Sequence, residues 1–278
     1  MQRIAYLLLL ISWAWFAHGQ PAASNAPVLT DAEAQMLLDR ALANELHAAQ
    51  DTSHPMRYQL RKSSPHGITT KEIFETRDGE VARLLAVNGQ PLSLADEQHE
   101  QARLSDLLGN PGKQRHRKLA EDADAGRALL VLRALPTAFT YQYAGEDAMG
   151  SVEKFTFRPN PDFSPPNLET QVLTQMAGEI CIDPTHERVT HLKGSLQQSV
   201  DFGWGILGRL NKGGWIVIEQ ADVGAGLWRT VHFQMQMSGR VVFKTRVFDT
   251  TEDERGFAPL PASLSYQKAI ETMREETK

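Results

Sequence analysis

From Trp228 to Met237 the chain alternates between two kinds of side chain almost without error. Val231, Phe233, Met235 and Met237 fall on one side; Thr230, His232, Gln234 and Gln236 fall on the other. A period of two residues sets one row against a core and the other toward water or a second layer. The flanking runs Gly214–Ala221 and Arg240–Asp249 have similar length and a similar share of β-branched or aromatic residues. Gly-bearing turns at Gly224–Gly226 and Ser238-Gly239 join the three, as a meander of hairpins requires. Residues 179–249 therefore read as long antiparallel strands, a surface on which no catalytic set is visible.

The pattern upstream is mixed. Thr30-Asp31-Ala32-Glu33 has the form of a capping box, and the helix it opens runs to about Gln50 with Met36, Leu37, Ala41 and Leu42 on one stripe, partly extended by Leu46. Strands are expected at Arg57–Ser63, Thr69–Thr76 and Val81–Val87, separated by Pro65-His66-Gly67, Asp78-Gly79 and Asn88-Gly89, all residue types that favour tight turns. Between residues 93 and 134 the period changes. Ser93 caps a helix reaching about Leu108, Gly109-Asn110-Pro111-Gly112 ends it, and a second helix over Arg117–Leu135 stops at Pro136. That second helix carries Leu129, Leu130, Leu132 and Leu135, which favours a cover over the sheet rather than a surface insertion. Strands resume at Ala138–Tyr143 and Val152–Arg158; a proline-rich crossing at Arg158–Pro166 and a short helix at Leu168–Met176 precede Glu179–Asp183. The fold class is α+β: a large curved antiparallel sheet with helices covering one face.

Arg3 followed by the apolar run Ile4–Phe16, with small residues at Ala17 and Gly19, has the form of a signal peptide over residues 1–19 cleaved between Gly19 and Gln20. A membrane span needs about 20 apolar residues, so the run is short for an anchor, and no transmembrane anchor is expected after cleavage. The mature chain is expected in the periplasm or outside the cell, with a linker over residues 20–29 and a single domain over residues 30–278. The only cysteine, Cys181, lies between Ile180 and Ile182 and reads as a small buried apolar residue rather than a nucleophile. The formal net charge is −5 with both signs interspersed, which argues against a nucleic-acid partner. The one basic run, Lys113 to Lys118, reads as a solvated helix start; contact with anionic lipid headgroups is its sharper alternative.

The chemical motifs fail on context. Gly203-Trp204-Gly205-Ile206-Leu207-Gly208 matches a dinucleotide fingerprint, but it is followed by a strand where the fingerprint needs a helix. His186 and His191 are spaced by five, not the four of a zinc-protease helix, and Arg103 stands where His99-Glu100 would need a second histidine. No cofactor, metal site or catalytic residue is expected. The apolar faces carry the functional signal instead. Phe155, Phe157, Trp215, Val231, Phe233, Met235, Met237 and Phe243 are the candidate ligand-binding residues, since Met and aromatic side chains accommodate varied apolar ligands.

The segment Phe155-Thr156-Phe157-Arg158-Pro159-Asn160-Pro161-Asp162-Phe163-Ser164-Pro165-Pro166, followed by Gly178–Pro184, Val200–Gly205 and Met237-Ser238-Gly239-Arg240, resembles secreted bacterial proteins of acidobacterial type within the outer-membrane lipoprotein-sorting (LolA-like) superfamily. The likeness covers most of residues 50–249. It implies an incomplete antiparallel β-barrel closed by helices around an apolar cavity for acyl chains; no ligand-binding motif of the family aligns, so none is carried over. The leading expectation is a periplasmic or secreted, non-catalytic binding protein for a lipid or lipoprotein acyl chain. An envelope protein-interaction or sensing module with a filled core is the alternative, and a hydrolase of unknown type comes third.

Overall fold

In the computed structural model of the chain, which describes residues 29–147, 151–202, 208–241 and 244–276, the alternating run becomes part of a 13-stranded antiparallel sheet. The strands are β1 (Met56–Ser64), β2 (Gly67–Phe74), β3 (Val81–Val87), β4 (Gln90–Pro91), β5 (Phe139–Glu146), β6 (Glu153–Pro159), β7 (Met176–Asp183), β8 (Arg188–Leu196), β9 (Val200–Phe202), β10 (Gly208–Leu210), β11 (Trp215–Asp222), β12 (Trp228–Val241) and β13 (Lys244–Pro259). The helices are α1 (Asp31–Gln50), α2 (Leu94–Gly109), α3 (Pro111–Ala138), α4 (Leu168–Gln171) and α5 (Tyr266–Glu275). The predicted signal segment, nearly all of the predicted linker, and residues 203–207 of the Gly-rich motif lie outside the described residues. No described helix is long and apolar enough to cross a membrane.

The strand order is β4-β3-β2-β1-β13-β12-β11-β8-β7-β6-β5, with β10 beside the far end of β12 and β9 beside β10. One meander, β1 to β4, walks outward to one edge. A second, from β5 at the other edge, walks back until β13 closes onto β1 (Leu60 opposite Glu254). The two edges do not pair, so the sheet is not closed into a barrel. The helical hairpin between residues 93 and 134 is the connection between these edges. α3 has 28 residues, which at about 1.5 Å each gives a rod of roughly 42 Å, long enough for the crossing. It starts earlier than expected, with Pro111 in its first turn, where a missing N–H costs nothing. It also runs through Pro136, which falls in the last turn and forfeits a single intrahelical bond.

Thr30 caps α1 as the sequence predicts: its hydroxyl accepts from Glu33 N at 3.3 Å, and Glu33 Oε2 accepts from Thr30 N at 2.9 Å. The buried stripe is Ala34, Leu37, Leu38, Ala41, Leu42 and Glu45; it contains Leu37, Ala41 and Leu42 as expected, but not Met36. Met36 is 51% exposed. Spacings of three and four pass through position 38, not 36, and the stripe continues onto a charged residue that an apolar count passes over. Ser93 caps α2 as predicted, accepting from Asp96 N at 3.2 Å.

Register decides which helix covers which face. Phe233 lies opposite Glu252, Leu60 opposite Glu254, and Tyr58 opposite Ile73. These residues share the face of Met235 and Met237, against which α1 and the C-terminal part of α3 pack in the larger core. Arg57 lies opposite Phe74, and Phe74 opposite Val81, on the other face. There α2 and α5 build a second core from Leu104, Leu107, Tyr266, Ile270 and Met273. The expectation of helices on one face therefore holds for α1 and α3 and is corrected for α2 and α5. Ile73 and Phe74, adjacent in sequence, are both buried, so β2 is covered on both sides at this end.

Candidate functional site

Burial of apolar side chains against one another leaves a space unfilled in the larger core. Between α3 and the sheet lies a cavity of about 380 Å³, within the roughly 300–1,000 Å³ of small-molecule sites. α3 contributes Val131, Leu132 and Leu135; the strands and turn beneath contribute Phe139, Phe157, Val172, Leu173, Met176, Leu192, Phe202, Leu210, Ile216, Ile218 and Met237. Glu169 on α4 is the one charged residue among them, and no cation stands against it in the lining. The rings of Phe139 and Phe157 meet at 4.6 Å between centroids and form a rigid aromatic wall. Such a lining binds by removing apolar surface from water, and the Glu169 carboxylate is the ionisable group among its described residues.

The candidate residues are distributed as follows. Phe157 and Met237 line the cavity. Met235 packs half-buried against the same core. Phe155 is buried but turns toward the start of α1, where it borders a separate cleft with Tyr143. Val231 and Phe233 share the face of β12 with Met235 and Met237 but do not line the cavity. Trp215 points to the opposite face of β11, where its indole N–H donates to Gln236 Oε1 at 3.1 Å. Phe243 lies outside the described residues. The sequence reading passed over Ile216 and Ile218, which face the cavity. Ile216 sits opposite Met235 and Ile218 opposite Phe233; only that register marks the isoleucines, rather than the larger Trp215, as inward.

A second, polar cleft of about 560 Å³ lies where the end of α1, the β2–β3 turn and α3 meet. Glu75, Glu80 and Glu121 line it together with Lys118, Arg229 and His54. Glu75 Oε2 accepts from Met56 N at 2.7 Å, and Glu121 Oε2 from Glu80 N at 3.0 Å. Burial, then the charges of Glu121 and Glu75, push the Glu80 carboxyl up to about 7. Burial, then Glu252 and Glu80, push Glu254 up to about 8, and burial raises Glu75 as well. The folded values lie above the ordinary 4.5, so the native state holds extra protons across the interval from 4.5 to about 8. Stability from this cluster is fully present below that interval and is lost as pH rises through it. The melting temperature is therefore expected to fall as pH is raised from 4.5 to about 8, and the double variant Glu80→Gln/Glu254→Gln should flatten the slope. A wild-type melting temperature that is constant or rising over this interval would remove the assignment.

The histidine and cysteine motifs do not assemble. His186 is held in a turn by Asp183, with Nδ1 at 2.8 Å, and its ring lies tilted against that of Trp228, whereas His191 sits beside Glu219. Arg103 pairs with Glu100. Cys181 is half-buried, and burial raises its thiol pKa, which disfavours the thiolate a nucleophile needs. Among the described residues no group of three His, Cys, Asp or Glu could hold a metal. Compared with known proteins, the chain matches no family model, no curated protein and no solved structure.

Proposed function

We propose that the protein is an exported, non-catalytic binding protein that holds a lipid or lipoprotein acyl chain in the cavity between α3 and the sheet, in the manner of LolA-like carriers. The observation that carries this reading is the apolar lining itself, a space of about 380 Å³ left open where close packing would normally fill it. An open antiparallel sheet with α1 and α3 packed on the face of the cavity supports the same reading. Export is inferred from residues 1–19, and the acyl chain is the ligand chemistry that a lining apolar but for Glu169 selects.

Glu169 refines the ligand class. A carboxylate headgroup beside it would meet like charge without a compensating cation, so an esterified chain fits better than a free fatty acid. The full chain is expected to take up a fluorescent fatty acyl ester saturably, with the corresponding free acid a few-fold weaker and Glu169→Gln narrowing that difference. Ile218→Trp places a large ring in the cavity. It should abolish uptake while far-UV circular dichroism remains that of the wild type. A wild type that takes up no probe, or an Ile218→Trp variant that is folded and binds normally, would refute the carrier reading; the first outcome would leave a filled-core interaction module in its place.

A further inference from the structure

β13 loses one of its two neighbours part-way along. β12 accompanies it over residues 244–253, but β1 pairs with it only over residues 251–259, ending with Ser63 opposite Thr251. β1 itself stops at Ser64 and turns away into β2. Among the described residues no other strand takes its place, and no backbone hydrogen bond from a turn or loop reaches residues 245–249. Residues 244–249 are all exposed. Along such an edge every second residue aims its N–H and C=O away from the one neighbouring strand, with water as their partner.

The side chains on this edge are apolar where solvent would favour polar ones. Val247 is 62% exposed and Phe248 39%. As neighbours in a strand they lie on opposite faces, so the edge offers apolar surface on both sides. Phe248 lies opposite Met237 and shares the face of the apolar cavity; Arg246 follows on that face opposite Gly239, which has no side chain to meet it. Thr245 lies on the other face, opposite Arg240. A single exposed apolar residue needs no account, but an open backbone edge that also carries two of them is a template for a further strand.

We propose that residues 245–249 are the contact between two copies of this chain, paired antiparallel about a two-fold axis at Val247. Val247 then meets Val247 of the second copy, Arg246 meets Phe248, and Thr245 meets Asp249, in an isologous interface. Arg246 gains an aromatic face, and Asp249 joins the row that begins at Arg240, so no like charges stand opposite one another. Neighbouring centres fail. Centred on Arg246, the pairing sets two guanidinium groups against each other. Centred on Phe248, it brings Thr245 against Thr251, where Ser63 of β1 already sits. The length of the open edge and its charges thus select the same axis. So narrow a contact gives a reversible dimer of micromolar strength, whatever the cavity holds.

Sedimentation velocity of the full chain over a micromolar dilution series tests the proposal. A monomer–dimer equilibrium is expected, and Val247→Lys, which sets two ammonium groups against each other on the axis, should weaken it by about tenfold. The register is read by cysteine. Paired Val247 Cα atoms would stand about 4.5–5.5 Å apart, inside the range of about 4.4–6.8 Å that a disulfide spans. Val247→Cys should therefore form a covalent dimer under mild oxidation. Thr245→Cys should not, because the two copies of that residue lie roughly 13 Å apart along the strands. Both variants keep the half-buried Cys181, which makes it a common background, and all three substitutions are at exposed positions, so each should stay folded by circular dichroism. Equal cross-linking of the two cysteine variants, or a dimer untouched by Val247→Lys, overturns the proposal. So does a wild type that stays monomeric; if that monomer binds anionic phospholipid vesicles and Val247→Lys does not, the exposed edge serves a membrane instead.

Discussion

Glu45→Ala is expected to destabilise the fold by about 3–5 kcal/mol, measured by urea unfolding. Glu45 ends the buried stripe of α1, and its carboxylate takes four hydrogen bonds. Oε1 accepts from Arg188 Nε at 2.8 Å and from Val189 N at 3.0 Å; Oε2 accepts from Arg188 Nη2 at 3.1 Å and from Gln220 Nε2 at 2.9 Å. The side chains of Arg188 and Glu45 are only 12% and 10% exposed, and the guanidinium lies 5.6 Å over the Trp228 ring. Truncating Glu45 leaves Arg188 buried without a counter-charge and frees a strand amide. Most of the loss is the cost of that stranded cation, not the worth of the pair. The double variant Glu45→Leu/Arg188→Met should therefore recover much of the stability. A loss below about 1 kcal/mol for the single variant, the range of an exposed pair, would show that α1 is not fastened to β8 and β11 in this way.

Gly178→Ala is expected to cost about 4 kcal/mol or more, or to leave no folded protein. Gly178 on β7 lies opposite Gly194 on β8, and a Cβ at Gly178 would collide with the carbonyl oxygen of Lys193 and crowd the Gly194 backbone. The obstruction is backbone in the interior of the sheet, with β6 and β11 on either side, so the strands can make room only by breaking their ladder. Gly89→Ala is the matched control. That position has φ +77° and nothing within 4 Å of an added Cβ, so only the left-handed backbone cost of about 1–2 kcal/mol applies. Equal losses for the two variants would contradict the close approach of β7 and β8.

Most strands and both long capped helices were legible because each announces itself locally. Asp78-Gly79 and Asn88-Gly89 are turns whose glycines adopt φ of +97° and +77°, and Thr30 with Glu33 forms a cap within four residues of chain. The end of β13 was not legible. The sequence reading stopped that strand at Asp249, yet it continues through Thr250-Thr251-Glu252-Asp253-Glu254-Arg255 to Pro259. So polar a run has the composition of a loop. It is a strand because β12 and β1 flank it and supply polar partners: the cations of Lys62 to Glu252 and of Arg61 to Asp253, and His232 Nδ1 within hydrogen-bond distance of Asp253.

By itself the sequence determined most of the period-two strands, several of the turns between them and the caps of α1 and α2, because those signals act over two to four residues of chain; the turn expected at Ser238-Gly239 is corrected, since both residues lie inside β12 opposite Val247 and Arg246. The crowding of Met and aromatic residues on the strand faces was legible too. Only the tertiary structure decided that Ile216 and Ile218, not Trp215, face the cavity, and that α2 and α5 cover the opposite face of the sheet from α1. Each of these follows from strand register and from pairing between segments far apart in the chain, where a shift of one residue exchanges the two faces and no local pattern records the partner.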